Sequence, residues 1–337
     1  MLRQTQSSKA DTEKTPLGQR VSRVMRFVIS IGLVVYILTQ VDLRDVFAAL
    51  ALANWWLIVL ALGLQLVGIA LISLRFKLLL GVENIHPGFR YLFVSTLCSI
   101  FFRQFLPSTL GGDALRGYDA WKAGATRPFA VLALFVDRLL GLGALASFAV
   151  LSLSVFGAIE PGLGTARIWG LGGLIAVATA IVLLFVQPAF LTRPLGRIAA
   201  ALPGKLAVIA GRIYQVSSSF VGHHDVLLRG AFISFLLQTN VVVFYWLLAK
   251  SLSLSVPFTS FFIIVPIAVF VMMAPISING IGLREAIFVY ILGMWGVENE
   301  LALAVAWLEF GTVIAVGAIG GIVFSIRRTK VAHVARN

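Results

Sequence analysis

The chain has 337 residues, of which 59% are hydrophobic and 12% charged, and its mean hydropathy is +0.98. That composition excludes a soluble globular domain. One cysteine, Cys98, excludes disulfide frameworks and thiolate metal clusters. The net charge of +13 could suggest nucleic acid, but in an apolar chain basic residues mark cytoplasmic loops and meet anionic headgroups.

In chain order, residues 1–26 form a polar tail with six Lys/Arg. It is too long and polar for a signal-peptide n-region, so the apolar run behind it is expected to be retained. A crossing takes about 20 apolar residues. Candidates are residues 27–41 (extended back to 21), 55–74, 128–156, 168–186, 226–249 and 300–325. Two further runs stop early. Residues 91–106 reach Pro107 and its glycines, and residues 257–274 reach Pro275; shorter segments, 113–124 and 281–295, follow. Residues 188–225, with Arg193, Arg197, Lys205 and Arg212 among apolar neighbours, read as cytoplasmic interfacial segments. His223-His224 reads as a polar loop before a helix rather than a metal pair.

The two interruptions are copies of one another. Pro107-Ser-Thr-Leu-Gly-Gly-Asp-Ala-Leu-Arg116 recurs 168 positions later as Pro275-Ile-Ser-Ile-Asn-Gly-Ile-Gly-Leu-Arg284, matching in proline, hydroxyl residue, glycine, leucine and arginine. In lipid, irregular backbone must face protein or a water-filled cavity. Paired interrupted segments in matching halves point to a transporter-like substrate site.

Charge counting decides how the interruptions lie. With both as re-entrant hairpins (91–124 and 257–296) and the N-terminus inside, 21 Lys/Arg fall inside and 4 outside, with Arg103 and Arg138 in membrane segments. Simple crossings give 15 against 10. The positive-inside bias favours the hairpins. The predicted fold is therefore an all-α polytopic membrane protein with about six full transmembrane helices plus two re-entrant hairpins. Three crossings per half invert the second repeat (157–325) relative to the first (27–156), so the hairpin tips meet near the midplane. Both termini, including the basic tail 326–337, are expected in the cytoplasm of a bacterial inner-membrane protein.

A helix restarting after Gly112 or Gly280 would offer unpaired N–H groups and a positive dipole end. Thr109 and Ser277 add hydroxyls, and Arg116 and Arg284, expected on the first turns, can bind phosphate bidentately. Structurally, Asp113 could instead pair with Arg116, and Glu285 with Arg284 or another helix. Arg103, Asp137, Arg138 and Glu309 are further intramembrane ionisable residues, hence functional candidates. Asp137 is expected to pair with Arg103 or Arg116, leaving Arg138 for Glu309 or substrate. Gln238 and Asn240 suit interhelical hydrogen bonds, and Gly317, Gly320 and Gly321 a packing face. No hydrolase, nucleotide or metalloprotease motif is present, and a membrane enzyme using Asp137 or Glu309 would lack a nucleophile or metal.

Three segments, Phe105-Leu-Pro-Ser-Thr-Leu-Gly-Gly-Asp-Ala-Leu-Arg-Gly-Tyr118, Val136-Asp-Arg-Leu-Leu-Gly-Leu142 and Pro275-Ile-Ser-Ile-Asn-Gly-Ile-Gly-Leu-Arg-Glu-Ala286, together resemble the flippase-like family typified by the membrane domain of lysylphosphatidylglycerol synthase. The resemblance spans about residues 20–328. It implies movement of anionic, aminoacylated or glycosylated lipids between leaflets, without a cofactor or metal. The candidate substrate site, from the polar residues above together with the segments the resemblance marks, comprises Arg103, Pro107, Thr109, Gly111, Gly112, Asp113, Arg116, Asp137 and Arg138 from the first half. From the second half come Ser277, Asn279, Gly280, Gly282, Arg284, Glu285 and Glu309. Asn279 stands where glycine is more usual. The family's soluble synthase domain has no counterpart in these residues, so synthase activity is not implied. The implied partner is an anionic membrane lipid or lipid-linked substrate. The alternative is a lipid-binding accessory subunit serving a separate membrane-associated aminoacyl- or glycosyltransferase; a homo-oligomer is compatible with either.

Overall fold

A chain in hydrocarbon must pair its backbone groups within each segment, and here it does so with helices. The computed structural model describes residues 17–105, 110–155, 172, 218–220, 222–273, 277 and 280–334. Among them are ten α-helices: α1 (Leu17–Leu38), α2 (Leu43–Ala51), α3 (Trp55–Leu80), α4 (Phe89–Phe105), α5 (Leu110–Lys122), α6 (Arg127–Val155), α7 (His224–Ser251), α8 (Phe261–Met272), α9 (Leu283–Gly293) and α10 (Asn299–Val334). Four stretches are long and apolar enough to cross a membrane: Trp55–Glu83, Arg127–Leu151, His224–Ser251 and Asn299–Arg327. They coincide with four of the six predicted crossings. The predicted crossing 168–186, Gly172 apart, and most of the interfacial segment 188–225 lie outside the described residues.

Helix α1 starts at Leu17, so the basic residues Arg20, Arg23 and Arg26 are helical. Arginine is a good helix former, and nothing in that stretch breaks the helix. Helix α2 has no counterpart among the predicted elements. It is a single short amphipathic turn pair whose N-terminus is held by the Asp42 carboxylate accepting from the Arg44 N–H at 2.8 Å, with Val46 fully buried.

The two interrupted regions form pairs of short helices, α4 against α5 and α8 against α9. At 13, 12 and 11 residues α5, α8 and α9 fall short of a crossing, and α4, at 17, stands at its lower limit. The long helices frame them symmetrically. Repeat mates α3 and α7 pack along each other, with the Asn240 amide donating to the Leu64 carbonyl at 3.0 Å. Helix α6 packs on α5 and α8, and α10 packs on α9 and α4. This contact pattern maps onto itself when the halves are exchanged, as the 168-residue repeat requires.

Helix α10 seats on α4 through its glycines. A Cβ on Gly320 would lie 2.3 Å from the Leu97 carbonyl oxygen, and one on Gly321 2.7 Å from the Phe101 ring. Beyond this contact, Arg327 at the far end of α10 grips Asp119 of α5 with two hydrogen bonds (2.9 and 2.8 Å), and the Tyr91 hydroxyl donates to the Asp119 carbonyl at 3.0 Å. The Asp119 side chain is 2% exposed and that of Arg327 27%. Removing the arginine strands a buried carboxylate, whereas removing the carboxylate leaves an arginine that water can reach. Arg327→Ala is therefore expected to lower stability by about 3 kcal/mol, and Asp119→Ala by about half as much. Melting of the two variants in detergent checks the order.

Candidate functional site

Glycine sets the geometry of the first hairpin. Gly112 is buried where a Cβ would stand 2.5 Å from the Ser99 carbonyl oxygen, so α5 approaches α4 at backbone distance only because position 112 has no side chain. Helix α5 begins at Leu110, with Gly111 in its first turn. Arg116 consequently sits on the second turn, not the first as the sequence suggested, because both glycines are absorbed into the helix.

From there Arg116, 6% exposed, reaches α6, where its Nη1 donates to Asp137 Oδ2 at 3.1 Å. Its guanidinium lies 4.5 Å from the Phe76 ring centroid. The other Asp137 oxygen accepts from Arg75 Nε at 2.7 Å, and Arg75 Nη1 donates to Ser234 Oγ on α7 at 2.6 Å. Four helices (α3, α5, α6 and α7) thus meet at one carboxylate that is 3% exposed. Asp113 lies 4.0 Å from Arg116 and accepts from Arg138 Nε at 2.9 Å. The cluster holds three guanidinium groups and two carboxylates, one positive charge in excess. Arg116 Nε and Nη2 are buried and find no hydrogen-bond partner among the described residues.

In the second hairpin Gly280 (φ +78°) and Gly282 (φ +81°) turn the chain into α9. The Gly282 contact with α1 is close as well: a Cβ there would lie 2.7 Å from the Ser30 carbonyl oxygen. Arg284 is buried on the first turn and pairs with Glu309 of α10, Nε to Oε2 at 2.8 Å, over the Phe310 ring at 4.8 Å. The Glu285 carboxylate accepts from the Gly282 N–H at 2.7 Å. That N–H, expected to be open to an anion, is satisfied by the helix's own glutamate, half of a capping box. Ser277 Oγ is buried without a hydrogen-bond partner among the described residues.

The two halves therefore repeat a device: each hairpin arginine binds a carboxylate on the long helix that follows. Arg116 and Arg284 are 168 residues apart and Asp137 and Glu309 are 172, one helical turn more, which keeps the same helix face. Of the predicted partners for Asp137, Arg116 makes the contact. Arg103 stands on the last turn of α4 and is exposed. Arg138 pairs with Asp113, not with Glu309, because it points about 100° away from the inward-facing Asp137. Gln238 donates to the Gly141 carbonyl at 3.5 Å, an interhelical contact as expected. Pro107, Thr109 and Asn279 lie outside the described residues. Sequence reasoning missed Arg75 and its anchor Ser234. Arg75 lies near a helix end, where arginines ordinarily extend to the interface, but here it is buried between Asp137 and Ser234. Among the described residues no group of three or more His, Cys, Asp or Glu could hold a metal ion.

A family model described as the lysylphosphatidylglycerol synthase TM region matches residues 23–321. A UPF0104 membrane protein of Methanothermobacter thermautotrophicus is 24% identical over 288 residues, which cover 79% of this chain and 81% of that protein.

Proposed function

We propose, from the premise that the chain belongs to the family of lysylphosphatidylglycerol synthase transmembrane regions, that this multi-pass membrane protein moves an anionic phospholipid or lipid-linked headgroup between leaflets. The headgroup passes the two arginine–carboxylate clusters, with the hairpins α4–α5 and α8–α9 entering from opposite faces. Both termini lie in the cytoplasm. The observation that carries this reading is Arg116: buried in lipid-facing protein, in a cluster with one excess positive charge, and with two nitrogens still able to donate. A phosphate oxygen accepts such donors in fork geometry and neutralises the excess charge. Arg284, on a turn bent by two positive-φ glycines, places a second arginine–carboxylate pair at the other hairpin. At Arg116 the phosphate joins Asp137, which keeps its bond to Arg75, so neither charge is left bare at depth. The driving force is the lipid's own imbalance, a gradient or a partner.

The test is leaflet exchange of headgroup-labelled phosphatidylglycerol in liposomes holding the purified protein. Arg116→Ala and Arg284→Ala are each expected to slow exchange by about ten- to hundredfold, the worth of one charge-assisted hydrogen bond in a buried site. Wild-type rates in both variants, with melting showing them folded, would end the proposal. Saturable lipid binding without exchange would instead make the protein a subunit that presents lipid to a separate transferase.

A further inference from the structure

Between α5 and α6 lies a groove of ≈ 880 Å³, in the size range of small-ligand sites. It adjoins the buried cluster at the Arg138–Asp113 pair, while Asp137, Arg75 and Arg116 do not line it. Arg138 faces it, while the adjacent Asp137 faces the interior. Its walls are one stripe of each helix: Gly117, Tyr118 and Trp121 from α5, and Val131, Leu134 and Phe135 from α6. Trp121 follows Gly117 and Tyr118 by four and three residues, and Leu134 and Phe135 follow Val131 by three and four, so each set lies along one face. Tyr118, Val131 and Phe135 are exposed, so the groove opens sideways toward the surrounding hydrocarbon and not toward the core. From Arg127 to Arg138 it runs eleven residues of helix, about 16 Å.

Its two ends are charged. Where α5 finishes and α6 begins, the Arg127 guanidinium lies 4.6 Å from the Trp121 ring centroid and Lys122 Nζ 5.1 Å from that of Tyr118. Aromatic rings carrying cations are what the headgroup depth of a bilayer selects. The charge count puts this end on the cytoplasmic side. At the other end stands the Arg138–Asp113 ion pair, with the Arg138 side chain 44% exposed. An apolar face alone would need only bulk lipid chains beside it; the cations Arg127 and Lys122 at the outer end give this groove a charge preference.

We propose that the α5–α6 groove holds an acyl chain of an anionic phospholipid, with the lipid phosphate on Arg127 and Lys122, and serves as the sideways entry to the buried cluster. Arg138 is the next cation inward. A phosphate arriving there displaces Asp113, which has Arg116 4.0 Å away as its alternative partner. The entry role rests on the translocation reading, while occupancy of the groove is measured apart from it.

Trp121 is a built-in reporter. Nanodiscs of phosphatidylcholine holding the full chain are prepared with increasing brominated phosphatidylglycerol or brominated phosphatidylcholine. Quenching of Trp121 is read as the difference between wild type and Trp121→Phe. Brominated phosphatidylglycerol is expected to quench at about tenfold lower content than brominated phosphatidylcholine, since two cations near the surface favour an anionic headgroup. Removing both charges with Arg127→Gln and Lys122→Gln is expected to abolish the preference. Val131→Phe, which fills an exposed part of the groove without touching the core, is expected to weaken quenching by both lipids. Equal quenching by the two lipids in wild type would overturn the proposal and leave an ordinary lipid-contact face. A preference that survives in Arg116→Ala/Arg284→Ala while exchange stays at the wild-type rate sinks translocation past the hairpins alone. A missing preference with arginine-dependent exchange intact sinks the groove alone.

Discussion

Asp137→Asn is expected to destabilise the protein by about 3–5 kcal/mol, the cost of breaking a buried ion pair by removing one partner. The carboxylate is shared by Arg75 and Arg116, both of them buried, so the amide leaves two guanidinium groups facing each other with Asp113 alone to balance them and Arg138. An amide also offers one acceptor oxygen where two N–H donors converge on two. Desolvation decides the size of the effect, and Arg138→Gln supplies the contrast. Arg138 belongs to the same network but is nearly half exposed, so its loss should cost no more than about 1 kcal/mol. Thermal melting in one detergent compares the two. Similar midpoints for both variants would show that the Asp137 network is solvated, contrary to its burial.

Gly320→Ala is the second large effect, and its sign should oppose that of a neighbour on the same helix. At Gly320 the new methyl would stand 2.3 Å from a backbone oxygen of α4, which cannot rotate away, so α10 and α4 must part. Overpacking of that kind costs about 1–3 kcal/mol. Gly317, one turn earlier, has its nearest neighbours at 3.9 Å, ordinary contact, so Gly317→Ala should gain about 0.5–1 kcal/mol from reduced backbone freedom. Opposite shifts in melting midpoint are expected. A loss in both would mean that the helices pack more tightly at Gly317 than these distances give.

The repeat was legible because it is written in residues that few other demands explain: a proline, a glycine and an arginine at fixed offsets inside apolar sequence. The long helices α3, α6, α7 and α10 were legible from apolar length alone, and the glycine face of α10 from its spacing. What sequence could not supply was partner choice across helices. Arg75 reads as a helix-end cation until Asp137 and Ser234 are seen to close around it. Arg138 could be denied Asp137's neighbours on angular grounds, but finding Asp113 required the crossing of α5 and α6. The start of α5 at Leu110 was missed because glycines were read as a break, when close packing against Ser99 makes them tolerable inside the helix. Glu285 was weighed as an ion-pair partner for Arg284, although its place three residues after a turn glycine also suits it to reach back to that glycine's N–H.

In the described part of α1, Val28, Ile31, Val35 and Tyr36 are exposed, yet the Ser30 carbonyl rests against Gly282, two residues before Arg284. Its apolar stretch Val28–Leu38 is too short to cross the hydrocarbon alone, so its orientation is set by what it packs against. At that contact a Cβ on Gly282 would also meet the Leu33 Cβ at 2.9 Å, so the two segments close on each other only because position 282 is glycine. A side chain at position 282 would therefore push α1 away from the turn that aims Arg284 at Glu309.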